Sequence, residues 1–128
     1  MAVPNDRKYA ESHEWHKLED DGNVTLGLTK FAVDELTDVT FLELPSVSDS
    51  FSQGDSIGEV ESVKATSDIY TGIAGEIVEV NEALTDDPSK LNEDPFNEAW
   101  LVKIKPEDPS QLEALMDAEA YEQQYPSE

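Results

Sequence analysis

A chain of 128 residues with 30 acidic against 8 basic side chains, for a formal net charge of −22, repels phosphate backbones and anionic lipid headgroups. That argues against nucleic acid and membrane as partners and leaves a highly solvated surface, or one steered toward basic patches on other proteins. There is no cysteine, so disulfides, thiolate metal sites and cysteine nucleophiles are all excluded, and any redox chemistry needs a group from outside the twenty amino acids.

In chain order, Val24, Leu26 and Leu28 alternate with Thr25, Gly27 and Thr29, which predicts a half-buried strand. Thr29 then caps a short helix from Lys30 to about Leu36, with Ala32 and Leu36 on one face. Asp38 to Leu44 is strand-like and Pro45 ends it, while the serines, aspartates and Gly54 of 46–55 predict an irregular connection. Two heptads follow that share a pattern: Ile57-Gly58-Glu59-Val60-Glu61-Ser62-Val63 and Ala74-Gly75-Glu76-Ile77-Val78-Glu79-Val80. Each reads as a strand followed by a polar turn residue, Lys64 after the first and Asn81 after the second. Their 17-residue spacing is too short for a solenoid and fits two pseudo-symmetric halves of one domain.

Further along, Asp87-Pro88 predicts a short helix ending near 92–94, by Asp capping and Pro at the first helical position. Trp100, Val102 and Ile104 alternate with Leu101, Lys103 and Lys105 in a strand that ends before Pro106. Ser110-Gln111-Leu112-Glu113 has the form of a capping box, opening a helix with Leu112, Leu115 and Met116 inward, and Asp117 caps a second helix through Tyr121. The expectation is one mostly antiparallel β domain spanning 1–128, with its core at about 9–121 and loose ends at 1–6 and 125–128. No stretch approaches the ~20 apolar residues of a membrane span, and Met1 to Asp6 has neither a signal h-region nor transit character. The chain reads as cytoplasmic, with a mature organellar form left open, and as a monomer.

No residue set has the form of an enzyme active site. His13 and His16 lack the further ligands of a zinc site and are expected in surface or capping roles. Acidic pairs are too common in this chain to indicate acid–base catalysis. One string is unusual: Glu61-Ser62-Val63-Lys64-Ala65-Thr66-Ser67-Asp68-Ile69-Tyr70 sets a lysine at a hairpin turn between two strands. A lone turn lysine is ordinarily a solubilising residue, but this whole string resembles the lipoylation site of glycine cleavage H proteins. It differs from biotin carriers, which have methionine on both sides of the lysine, and from the usual Asp-Lys-Ala of 2-oxoacid dehydrogenase lipoyl domains. The resemblance runs from about Tyr9 to Tyr121 in the family's order. It takes in Ser12-His13-Glu14-Trp15, Leu26-Gly27-Leu28-Thr29, Phe31-Ala32, Phe41-Leu42-Glu43-Leu44-Pro45, Gly75 to Asn81, Leu91-Asn92-Glu93-Asp94-Pro95-Phe96 and Trp100 to Ile104. Departures are Thr37 and Ser48 where glycine is usual, Gly72 where proline is usual, and Glu35 where some members carry a histidine lining the arm's cleft.

The resemblance implies a mostly β (α+β) barrel-sandwich hybrid of the lipoyl/biotinyl-carrier type, with short peripheral and C-terminal helices and with Lys64 and Asn81 at equivalent turns. It implies lipoate in amide linkage to Lys64 and a non-catalytic shuttle, in which the arm supplies the sulfur this chain lacks. The implied partners are a pyridoxal-phosphate glycine decarboxylase, a tetrahydrofolate-dependent aminomethyltransferase, a dihydrolipoyl dehydrogenase and a lipoate-attaching enzyme. Ser12, Glu14, Glu35 and Asp68 match positions of the arm's cleft, where a carboxylate could pair with a protonated amine. Glu61, Ser62, Val63 and Ala65 surround the lysine and are expected to be read by the attaching enzyme or a partner. Three alternatives stay open: an H-like donor relaying lipoyl groups to other dehydrogenases, an unmodified interaction protein, and an independent acidic-site hydrolase.

Overall fold

A computed structural model describes residues 7–10, 13–94 and 99–124. Ser12, Pro95-Phe96 and the two ends expected to be loose lie outside the described residues. Among the described residues nine strands form two sheets. They are β1 (Lys8–Tyr9), β2 (Glu14–Leu18), β3 (Val24–Leu28), β4 (Val39–Glu43), β5 (Ser50–Phe51), β6 (Ser56–Ser62), β7 (Thr66–Tyr70), β8 (Gly75–Val80) and β9 (Val102–Pro106). The larger sheet runs β1-β2-β3-β9-β8-β5 and the smaller β4-β6-β7, all pairs antiparallel.

The inward residues of both sheets meet in one apolar core. Val24, Leu26, Ile77, Val102 and Ile104 come from the larger sheet, Leu42, Ile57, Val60 and Ile69 from the smaller. Short helices close its ends: α1 (Lys30–Leu36) through Val33 and Leu36, α2 (Glu82–Asp86) through Leu84, and α3 (Lys90–Glu93) through Leu91. A second cluster packs Tyr9 and Trp15 against Ala118 and Tyr121 of α4 (Ala118–Gln124), with the two tyrosine rings stacked at 4.9 Å.

The two similar heptads lie in different sheets, the first in β6 and the second in β8. Their ends differ. Lys64 sits in a hairpin turn, whereas Asn81 leads into α2 and donates its side-chain amide to the Trp100 carbonyl at 2.8 Å, so the two turns are not equivalent. β3 is buried along its whole length rather than on one face. Thr25 is covered by Glu19, to whose carboxylate it donates at 2.6 Å, and Gly27 lies under Trp15. A Cβ on Gly27 would stand 2.5 Å from the Trp15 ring, so only glycine admits the indole there.

Thr29 caps α1 as expected, its hydroxyl accepting the Ala32 N–H; Val33 and Leu36 are the buried pair, with Ala32 beside the core. The segment 46–55 holds β5, which was not foreseen, and the helix opened by Asp87-Pro88 begins later, at Lys90. The cap near 110 also moves. Asp108, not Ser110, caps a 3-10 turn (Pro109–Ala114), accepting the Ser110 N–H at 3.1 Å and its hydroxyl at 2.6 Å, which holds the Asp108 carboxyl below its usual range. Asp117 caps α4 by accepting the Ala120 N–H at 2.8 Å.

Candidate functional site

Lys64 occupies the tip of the β6–β7 hairpin, beyond the last cross-strand pair, Glu61 with Thr66. Ser62 builds the turn. Its N–H donates to the Ala65 carbonyl at 2.8 Å, and its hydroxyl accepts the N–H groups of Lys64 at 3.1 Å and Ala65 at 3.0 Å. The Val63 N–H donates to the Asp38 carbonyl at 3.1 Å, tying the tip to the chain after α1. Every amide from 62 to 65 thus has a partner, and a tip exposed to water keeps one shape. The side chains of Val63, Lys64 and Ala65 are exposed, while Glu61 and Ser62 are half-buried.

The Lys64 amine leans onto α1 and donates to the Glu35 carbonyl at 3.3 Å. Among the described residues it makes no ion pair, despite 30 carboxylates in the chain. An exposed primary amine held by one weak hydrogen bond, on a rigid turn, is sterically open to acylation and can carry a flexible group clear of the barrel. No group of three or more His, Asp or Glu side chains among the described residues could hold a metal.

The expected cleft residues fall in two groups. Glu35 is exposed on α1 and its charge acts on His13, whose ring packs on Phe31 with centroids 4.6 Å apart. Burial lowers the His13 pKa and the Glu35 charge partly offsets that. His13 Nδ1 lies 2.8 Å from the Tyr121 hydroxyl, which lies 2.8 Å from the Thr29 hydroxyl, so a polar chain runs from the α1 cap to α4.

Asp68 and Glu14 form the second group, joined through Tyr70. Asp68 is exposed on β7 and accepts the Tyr70 hydroxyl at 3.2 Å. Glu14 is fully buried on β2 and accepts the Tyr70 N–H at 2.9 Å. The Asp68 charge, its hydrogen bond, burial and then the Glu14 charge raise the Tyr70 pKa.

His16 is buried, not at the surface: its Nε2 accepts the Gly72 N–H at 3.0 Å. A groove of about 480 Å³ lined by Tyr9, Tyr70, Gly72, Leu115 and Met116 opens at the foot of the hairpin rather than beside Lys64. The structural parts played by His13, His16, Tyr70 and Asn92 were not foreseen. Asn92 accepts the Val39 N–H at 3.0 Å and donates to the Thr37 carbonyl, bracing the chain that receives the hairpin tip.

Two small sheets packed face to face, with one exposed lysine at a hairpin tip, define the barrel-sandwich fold of lipoyl domains. A crystal structure of a glycine cleavage system H protein from Mycobacterium marinum superposes with a TM-score of 0.88 at 39% identity, covering 95% of this chain and 98% of that one. Among curated relatives, the glycine cleavage system H proteins of Psychrobacter cryohalolentis and Psychrobacter sp. strain PRwf-1 are 51% and 48% identical over 120 residues, 94% of this chain and 95% of each relative. The family model described as glycine cleavage H-protein matches residues 7–128, and the chain belongs to that family.

Proposed function

We propose that this chain is the lipoyl-bearing shuttle of glycine cleavage, loaded on Lys64 by a lipoate-attaching enzyme. It would serve in turn the glycine decarboxylase, the tetrahydrofolate-dependent aminomethyltransferase and the dihydrolipoyl dehydrogenase. The observation that carries the reading is the Lys64 amine, exposed on a turn whose amides are all hydrogen-bonded. Lipoate bound there would supply a cyclic disulfide able to accept electrons and a carbon fragment together. The chain's own part is non-catalytic: it presents the amine, keeps the tip in one shape and raises the effective concentration of the tethered group at each partner.

Asp68 fits a role in receiving a cationic amine at this surface, because it is an exposed carboxylate already oriented by the Tyr70 hydroxyl. Glu35 fits a role as the rest against which the Lys64 side chain lies. Glu14 has one carboxylate oxygen committed to the Tyr70 N–H, so it supports the cleft by fixing β7. Ser62 shapes the turn, and Val63, Ala65 and Glu61 form the surface that an attaching enzyme would read.

The test is intact mass with peptide mapping on the full chain made in cells that attach lipoate. The expected result is one lipoyl increment confined to Lys64, absent from Lys64→Arg, and glycine-dependent CO2 release when the loaded protein is added to decarboxylase and aminomethyltransferase. An unmodified Lys64, in cells that load a control H protein, overturns the carrier reading. Loading without CO2 release overturns the glycine cleavage role and leaves a lipoyl donor.

A further inference from the structure

The hairpin that carries Lys64 is bonded along one edge only, because β7 is the last strand of the smaller sheet. Along its other edge the backbone alternates. The Thr71 N–H turns inward to the Asp55 carbonyl at 3.0 Å, while those of Tyr70 and Gly72 point away. Two side chains of β2 meet them. Glu14 takes the first at 2.9 Å and His16 the second at 3.0 Å. Residues two apart on one strand share a face, so Glu14 and His16 repeat at the spacing of the two amides they accept. The result is a ladder of two rungs made by side chains rather than backbone, joining the larger sheet to the foot of the hairpin.

We propose that His16 is a positioning residue for the arm-bearing hairpin. With Glu14 it fixes the free edge of β7, and only its neutral ring can make that rung, so acid releases the hairpin's foot. Nε2 accepts an N–H, so it carries no proton and the ring is the Nδ1–H tautomer. Protonation sets one N–H against another and places a charge on a side chain with no exposed surface.

The surroundings offer that charge little. Lys8 lies opposite across the β1–β2 ladder, Leu26 opposite on β3, and Leu115 packs near from beyond the 3-10 turn. Among the described residues of that face of β2 and its ladder partners the anion is Glu14, which accepts the Tyr70 N–H. Burial therefore pushes the His16 pKa down from 6.5 to about 4, with the Glu14 backbone opposing. Gly72 completes the fit: a Cβ there would meet the ring at 3.2 Å and Leu115 at 2.9 Å, and proline would remove the donor itself.

With the folded pKa depressed, the stability the rung contributes is present in full above the unfolded pKa of 6.5 and is lost as pH falls toward about 4. The experiment is residue-resolved amide exchange on the full chain between pH 7 and pH 4, corrected for the intrinsic pH dependence of exchange. Protection of the Gly72 amide should fall by up to tenfold per pH unit inside that window, roughly 100-fold between pH 7 and pH 4. His16→Gln retains an acceptor that does not titrate and should keep the protection while losing the slope. His16→Leu should lose the protection at every pH.

A flat wild-type profile overturns the proposal. So does a His16→Gln profile that keeps the wild-type slope, which would assign the titration to Glu14. If His16→Leu does not fold, the wild-type and His16→Gln profiles decide alone. None of these readouts requires lipoate, so failure here leaves the carrier reading standing, and the reverse holds too.

Discussion

Three non-glycine residues among those described take a positive φ, His13 at 73° and two others at which the resemblance expects glycine. Thr37 ends α1 at φ 64°, ψ −128°, and Ser48 adopts φ 82° before β5. Both are left-handed positions that glycine reaches without steric cost and that a β-branched residue reaches least well. These are the two places where the sequence departs from a glycine expected by resemblance, so a local mismatch was legible before the backbone was known. Thr37 is held by its surroundings: its N–H donates to the Val33 carbonyl at 3.0 Å, and its own carbonyl accepts from Asn92. Strain of this kind costs on the order of 1–3 kcal/mol, and the added chain entropy of glycine returns part of that. Thr37→Gly should therefore stabilise the protein by about 1 kcal/mol, and Ser48→Gly by about half as much, with the two effects adding. Urea unfolding of both variants and the double variant measures this. A less stable Thr37→Gly would mean that its hydroxyl bond to the Leu36 carbonyl outweighs the strain.

At the scale of the element, the hairpin tip depends on one hydroxyl. Ser62 accepts two N–H groups, and both bonds are exposed, so water replaces them at a modest net cost of about 1 kcal/mol or less. Ser62→Ala should leave global stability within that margin but loosen the tip, seen as lower heteronuclear NOE values at Lys64 and Ala65; unchanged values would show that the Val63 bond to Asp38 suffices. Elements written in local patterns were legible in the sequence. These include the alternation of β3, the Thr29 cap, the Pro45 stop and the Asp117 cap. Those made by distant partners were not. β5 exists because the chain from Ser48 to Phe51 exchanges backbone bonds with β8 around Ile77, and nothing local in 46–55 says so. Asn81 spends its side chain on the Trp100 carbonyl rather than on a cap, which hides α2. Asp108 outcompetes Ser110 as a cap because Pro109 then falls at the first helical position. The site divides in the same way. Lys64 is singled out by its ten-residue string, but His16 stands beside Trp15 in a strand buried on both faces, where alternation gives no sign of which face holds the acceptor.

Over the whole molecule, a net charge of −22 sets the terms on which the compact state forms. Ion pairs such as Lys30 with Asp34 at 2.7 Å and Lys103 with Glu79 at 3.8 Å neutralise little of it. The repulsion is also focused. Glu43 lies opposite Glu59, and Glu59 opposite Asp68, so three carboxylates stand in one row across the outer face of the smaller sheet. Like charges directly opposite on neighbouring strands destabilise a sheet by roughly 0.2–1 kcal/mol per pair, and a row puts Glu59 in two such pairs. Both the global and the local repulsion are screened once the Debye length shrinks below the spacing of the charges. Melting temperature should therefore rise with salt, by about 5 °C between ~20 mM and ~0.5 M NaCl, which corresponds to roughly 1 kcal/mol for a chain of this size. Glu59→Gln should raise it at low salt by a similar amount and much less at high salt. If Glu59→Gln stabilises equally at both, the gain comes from packing rather than charge. If the wild-type melting point does not respond to salt, the carboxylates are already separated far enough that their sum, and not their arrangement, is what the fold tolerates.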